Sequence, residues 1–295
     1  MKKLIQIGLL AVCLTPPALS QSANEFIVFS SERSGSGDIY AMPVSGGVPM
    51  LVAGTGAAEG RPRFASVQGT LYYFRYDGAE AMLMQGEDEI VALPFDDISP
   101  DISAAGNEMI YSAPFEDREA IFTLAFDPEA ADADPQVRNS YPTPRYPAFS
   151  PVRDFGEGAY AYVHMSDEGA LLQVWRSAVR IGESPLVTLY SAAYIGHPAW
   201  SPDGQNIAFD VRAGEDTDIA IVPLHGGQVR LFERPGNDFA PAFSADGQTI
   251  AFGGEIDGDF ELFTLSVATG DFTRLTYAPG FDGAPVFVPA TAFDD

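Results

Sequence analysis

Apolar residues in this chain come in short runs, without the three-to-four-residue spacing of an amphipathic helix. Phe26-Ile27-Val28-Phe29, Leu71-Tyr72-Tyr73-Phe74, Ile207-Ala208-Phe209 and Ile250-Ala251-Phe252 are representative. They favour β-branched and aromatic residues and are bounded by glycine, proline and aspartate, the pattern of strands joined by tight turns. The runs themselves recur. Pro198-Ala199-Trp200-Ser201-Pro202-Asp203-Gly204-Gln205-Asn206-Ile207-Ala208-Phe209 returns as Pro241-Ala242-Phe243-Ser244-Ala245-Asp246-Gly247-Gln248-Thr249-Ile250-Ala251-Phe252. Weaker copies start at Pro62, Pro100 and Pro147, and a truncated one at Pro285; the six prolines step by 38, 47, 51, 43 and 44 residues. Such a period holds four strands, and a series of such units makes a β-propeller.

The parts of each unit follow from local chemistry. In Ser-Pro-Asp-Gly, proline presets φ, aspartate bonds its own backbone and glycine takes the left-handed position between strands one and two. A polar loop such as Glu32 to Gly37 leads to a third strand (Asp38 to Met42; Asp218 to Val222; Glu261 to Leu265), and glycine turns at Gly46-Gly47, Gly226-Gly227 and Gly270 return the chain. The first unit lacks its first strand, and Pro285-Val286-Phe287-Val288 has no unit of its own. Residues 25–31 and 285–290 are therefore expected to share a composite blade that removes the free sheet edges. The prediction is an all-β, six-bladed propeller of four-stranded antiparallel blades over residues 21–295. Residues 127–146, with Asp127, Glu129, Asp132, Asp134, Pro142 and Pro144, read as an irregular acidic surface loop.

Residues 1–20 stand apart. Lys2 and Lys3, an apolar stretch from Leu4 to Leu14 and a small-residue site at Ala18-Leu19-Ser20 read as a cleavable secretory leader. Its removal takes two lysines and no acid, moving the formal charge from −25 to −27, and takes Cys13, the sole cysteine. The mature chain then has no disulfide, and no later run is long and apolar enough to span a bilayer. A periplasmic or secreted monomer is expected. So acidic a surface disfavours nucleic acid and anionic lipid and suits cations, basic partners or solubility.

Pro-x-Trp-Ser-Pro-Asp-Gly-x-x-Ile-Ala-Phe with its trailing Asp-Ile, Gly-Gly and outer-strand ends resembles the propeller repeat of the TolB family. Residues 198–232 and 241–276 carry the resemblance most strongly, over a span of about 25–290. It implies a propeller without TolB's N-terminal α/β domain, and an envelope protein as partner.

Candidate site residues follow from propeller geometry, in which the first strand of each blade lines the channel. Glu59, Asp97, Asp238 and Asp282 stand three residues before a repeat proline, where the other two blades have Pro144 and Ile195. Four carboxylates would then ring one channel mouth, on the face that also carries Arg33, Arg75 and Arg212. Such oxygen ligands can hold Ca²⁺ or a cationic side chain; the plainer reading is that each acid caps nearby backbone N–H groups. His197 lies beside the channel, whereas His164 and His225 show no metal-ligand spacing. The sequence contains no nucleophile elbow, phosphate loop or dinucleotide glycine pattern. Trp175 and Trp200 read as blade core. The expected function is a non-enzymatic scaffold that binds a protein or peptide at one face, with no cofactor beyond the Ca²⁺ just considered. The alternative is a polysaccharide lyase or hydrolase at the channel mouth.

Overall fold

The computed structural model describes residues 24–94, 99–115, 118–126, 136–139, 144–149, 159–176 and 187–293; the expected leader lies outside them. These residues form six four-stranded antiparallel sheets. Blade 1 runs from the channel outward as Asp282–Pro289, Glu25–Ser31, Asp38–Pro43 and Met50–Ala53. The last long strand of the chain thus pairs with the first, Val288 opposite Phe26 and Asp282 opposite Ser31, and the composite blade closes the ring as expected. Blade 2 comprises Ala58–Ala65, Thr70–Asp77, Glu80–Gln85 and Asp88–Leu93. Blade 3 comprises Ser99–Ile102, Glu108–Phe115, Arg118–Ala125 and Gln136–Asn139. Blade 4 comprises Pro144–Phe149, Ala159–Ser166, Gly169–Arg176 and Val187–Ala192. Blade 5 comprises Ile195–Trp200, Asn206–Arg212, Thr217–Pro223 and Arg230–Phe232. Blade 6 comprises Asp238–Phe243, Thr249–Ile256, Asp259–Ser266 and Phe272–Arg274.

One sequence expectation needs correcting here. The segment read as an irregular loop supplies the outer strand of blade 3 and the start of blade 4's inner strand. Gln136–Asn139 is only four residues long with one apolar side chain, and it pairs with the neighbouring strand through a bulge. A strand this short is held by its partner's ladder, and hydrophobic alternation cannot announce it. Residues 127–135 and 140–143 lie outside the described residues.

The core lies between blades. An apolar cluster fills each of the six blade interfaces, from Tyr72, Phe74 and Leu83 against Met109 and Tyr111 between blades 2 and 3, to Ile27, Phe29 and Met42 against Leu262 between blades 1 and 6. Trp175 is buried against Ile121, Tyr160 and Tyr162 between blades 3 and 4, and Trp200 packs between blades 4 and 5. Each such side chain contributes about 1.5–3 kcal/mol. The Ser-Pro-Asp-Gly turn forms as its sequence predicts. Ser201 Oγ donates to Asp203 Oδ1 at 2.6 Å, Gln205 N–H donates to the same oxygen at 3.0 Å, and Gly204 has φ 68°. Those bonds hold the Asp203 carboxyl below the usual carboxylate range.

Candidate functional site

The site grows out of one repeated backbone feature. Arg61, Tyr146, His197, Ala240 and Ala284, each just before a repeat proline, have φ between 40° and 52°. The register of the inner strand shifts at the same place in all five blades, as between Gly196 and Ala199. Proline has no N–H to give the ladder, so a bulge absorbs the mismatch and turns the preceding residue toward the channel. A left-handed non-glycine residue costs roughly 1–2 kcal/mol. Inter-blade clips offset part of this: Arg61 N–H donates to Ser30 Oγ at 3.0 Å, and Ala240 N–H to Asp210 Oδ1 at 3.1 Å.

The five re-aimed side chains line a central cavity of about 690 Å³ bounded by residues from all six inner strands. One wall is aromatic. The Tyr146 and His197 rings lie 4.3 Å apart, His197 lies 6.4 Å from Phe239, and Phe239 packs on Phe281 at 5.7 Å. Across the ring, blade 2 contributes Arg61 and Arg63. Arg63 donates from Nε to Pro100 O at 3.0 Å and from Nη1 to Pro62 O at 2.8 Å, with Asp101 Oδ1 3.5 Å from Nε.

The sequence-selected acids sit at their blade starts, buried and partnered by arginine. Glu59 faces Arg75 Nε at 3.1 Å and accepts from Thr55 Oγ1 at 2.5 Å. Asp282 accepts from Arg33 Nη2 at 2.7 Å, while Arg33 also donates to Ser31 Oγ and lies over the Tyr40 ring at 4.9 Å. Asp238 pairs closely with Arg234. Burial still pushes the Asp238 carboxyl up to about 8, against the pull of the Arg234 guanidinium. Asp97 lies outside the described residues. Among the described residues no group of three or more His, Cys, Asp or Glu is placed to hold a metal ion. Arg212 is exposed and lies 5.9 Å from the centre of the Tyr194 ring.

His197 is where sequence and structure meet most directly. Its Nδ1 lies 2.9 Å from Oδ1 of the fully buried Asp210. Tyr194 stands beside Asp210, and its phenol is raised well above the usual range, by burial first and then by the Asp210 charge. Sequence reasoning missed Asp210, Tyr194, Tyr146, Arg61 and Phe239. The available signal was position: Arg61, Tyr146 and His197 all immediately precede a repeat proline.

Comparison with known proteins agrees with this geometry. The TolB beta propeller domain family matches residues 157–292. The chain is a six-bladed β-propeller whose second half is similar to TolB propeller domains. A TolB homolog from Chlorobium chlorochromatii (strain CaD3) is 35% identical over 92 residues, which is 31% of this chain and only 21% of that relative's length. The crystal structure of TolB from Acinetobacter baumannii superposes with TM-score 0.76 at 15% identity, covering 91% of this chain and 67% of that one. A TolB from Agrobacterium tumefaciens gives 0.62 at 15% identity, covering 90% and 98%. A chain of a nidogen/laminin complex gives 0.65 at 10% identity, covering 90% and 99%. These structural likenesses establish the β-propeller fold. Among the described residues no helix is long and apolar enough to cross a membrane.

Proposed function

We propose that this chain is an exported periplasmic propeller that binds an envelope protein, or a segment of one, at the face where the central cavity opens. The observation that carries the reading is the cavity itself. Five bulges at a cost of strain turn side chains into it, its walls are largely proline, alanine and aromatic rings, and Glu59 on its wall is already held by Arg75. A pre-formed apolar hollow with a few polar groups suits an inserted side chain or loop. The family match to TolB propellers and the likeness to a chain from a nidogen/laminin complex support a binding role by analogy of fold.

The test is photo-crosslinking in envelope extract from position 240, on the cavity wall, and from position 67, in the exposed turn that joins the first two strands of blade 2. No lysine follows Lys3, so a photoreactive residue is needed instead of amine chemistry. One product from 240, absent from 67, is the expected result. No product, or equal products from both, would overturn the proposal.

The His197–Asp210 contact at 2.9 Å on the same cavity favours a second reading, a polysaccharide lyase or hydrolase with His197 as base. That reading expects cleavage of a uronate or neutral glycan that His197→Ala abolishes without lowering Tm by more than a few degrees.

A further inference from the structure

Arg61 and Arg63 stand two residues apart on the inner strand of blade 2, and both line the cavity. Arg63 is balanced by Asp101, and two carbonyls take its Nε–H and one Nη1–H. That leaves donors of its guanidinium fork unassigned. The Arg61 guanidinium has no hydrogen-bond or ion-pair partner among the described residues. Burial, with the charge of Arg61 adding to it, pulls the Arg63 guanidinium below the ordinary arginine range, and Asp101 only partly opposes this. Among the described residues, two guanidiniums with one facing carboxylate therefore leave one positive charge at an apolar wall. The other described acids on the cavity do not cancel it: Glu59 belongs to Arg75 at 3.1 Å, and Glu32 is exposed on its loop.

We propose that Arg61 and Arg63 form a carboxylate-binding subsite in the channel wall, so that the partner segment entering the cavity is an acidic peptide. This rests on the peptide-binding reading above. A carboxylate can bridge two guanidiniums through charge-assisted, bidentate hydrogen bonds and remove their mutual repulsion. The chain's net charge of −25 does not forbid this. Surface charges more than about 8 Å away are screened at physiological salt, while a direct contact inside the cavity is not. A peptide fits the walls better than an oligosaccharide. Prolines 100, 147, 198, 241 and 285 and their neighbouring alanines would leave most sugar hydroxyls without partners, at a cost for each one buried.

The test is titration calorimetry at 0.15 M NaCl with acetyl-Ser-Glu-Phe-Asp-Ser-amide and its Gln/Asn isostere. The acidic peptide is expected to bind at least about tenfold more tightly. Arg61→Gln removes that advantage, weakening the acidic peptide much more than the isostere, while Arg61→Lys retains part of it. Unaltered melting of both variants excludes misfolding. Equal affinities, or an acidic preference that survives Arg61→Gln, overturn the carboxylate subsite and leave the peptide reading standing. Binding by neither peptide at millimolar concentration overturns both. Binding only of a galacturonic acid tetrasaccharide, lost in Arg61→Gln, overturns the peptide class in favour of a glycan.

Discussion

Blades 1, 2 and 6 begin with Asp282, Glu59 and Asp238 three residues before the repeat proline, whereas blade 5 has the buried Ile195 there. In blade 5 the acid has moved to the second strand. Asp210 pairs across the sheet with Gly196 as Ser30 pairs with Gly283, and both accept the N–H of the next blade's left-handed residue. The backbone job is the same and a serine suffices for it. What differs is the partner. The three blade-start acids face arginines, always charged and part of the scaffold. Asp210 faces a histidine on the cavity wall and lies beside a half-buried tyrosine, so its charge is connected to whatever enters. The blade-start acids brace their own blades and entries; Asp210 clips its blade to the next and also reaches the channel.

The largest effect expected from breaking this contrast is at the arginine pairs. Arg75→Ala strands the Glu59 carboxylate, whose side chain has no exposure. Loss of about 3–5 kcal/mol of stability is expected, read as a shift in denaturation midpoint. A shift within experimental error would mean that the pair is ornamental. Asp210→Ala comes next. It leaves the Ala240 N–H and His197 without their acceptor, and about 3 kcal/mol is expected overall. His197→Ala, removing a partly exposed ring, should cost clearly less. If both variants melt alike, Asp210 serves only its histidine and the inter-blade clip carries no weight.

Much of this was legible in the sequence, for a physical reason. Proline, aspartate and glycine at fixed offsets are demanded by the turns, so the blade count, the Ser201–Asp203–Gly204 geometry and the closure of 25–31 against 285–290 follow from reading them. The acids at 59, 238 and 282 were legible as a register. Arg33 and Arg75 were legible as sharing the acids' face, but which acid each meets was not, and Arg234 was missed, because Arg75 lies on the second strand of its blade, Arg33 in a loop and Arg234 before the inner strand of blade 6. No period connects three such positions. The cavity wall was hidden in the same way: the bulge dictates a conformation before each proline but not a side chain, so Arg61, Tyr146, His197, Ala240 and Ala284 share no residue type.

A methyl group sharpens the contrast without removing any charge. A Cβ on Gly196 would lie 2.3 Å from Asp210 Oδ2 and 2.5 Å from the Tyr194 hydroxyl, whereas on Gly60 its nearest contact is Ser30 Oγ at 3.5 Å. Gly196→Ala is therefore expected to cost about 1–3 kcal/mol by overpacking, and Gly60→Ala next to nothing. Equal melting temperatures for the two would show that the Asp210–Tyr194 arrangement yields easily and cannot position His197.

The smallest effect separates Asp238 from its counterparts by pH. Burial pushes its carboxyl from 3.8 to about 8, outweighing Arg234. The folded chain then holds this proton more tightly than the unfolded one. Asp238's contribution is fully present below about pH 4 and is lost as pH rises through about 8, with a slope of at most about 1.4 kcal/mol per pH unit. No lysine lies beyond Lys3 and no cysteine beyond Cys13, so few other side chains titrate in that window. Tm should fall between pH 7 and pH 9, and Asp238→Asn should flatten the fall. If the wild type is flat over that range, or the variant falls equally, then Arg234 holds Asp238 ionised throughout, and blade 6 is locked as firmly as its ion-pair geometry alone suggests.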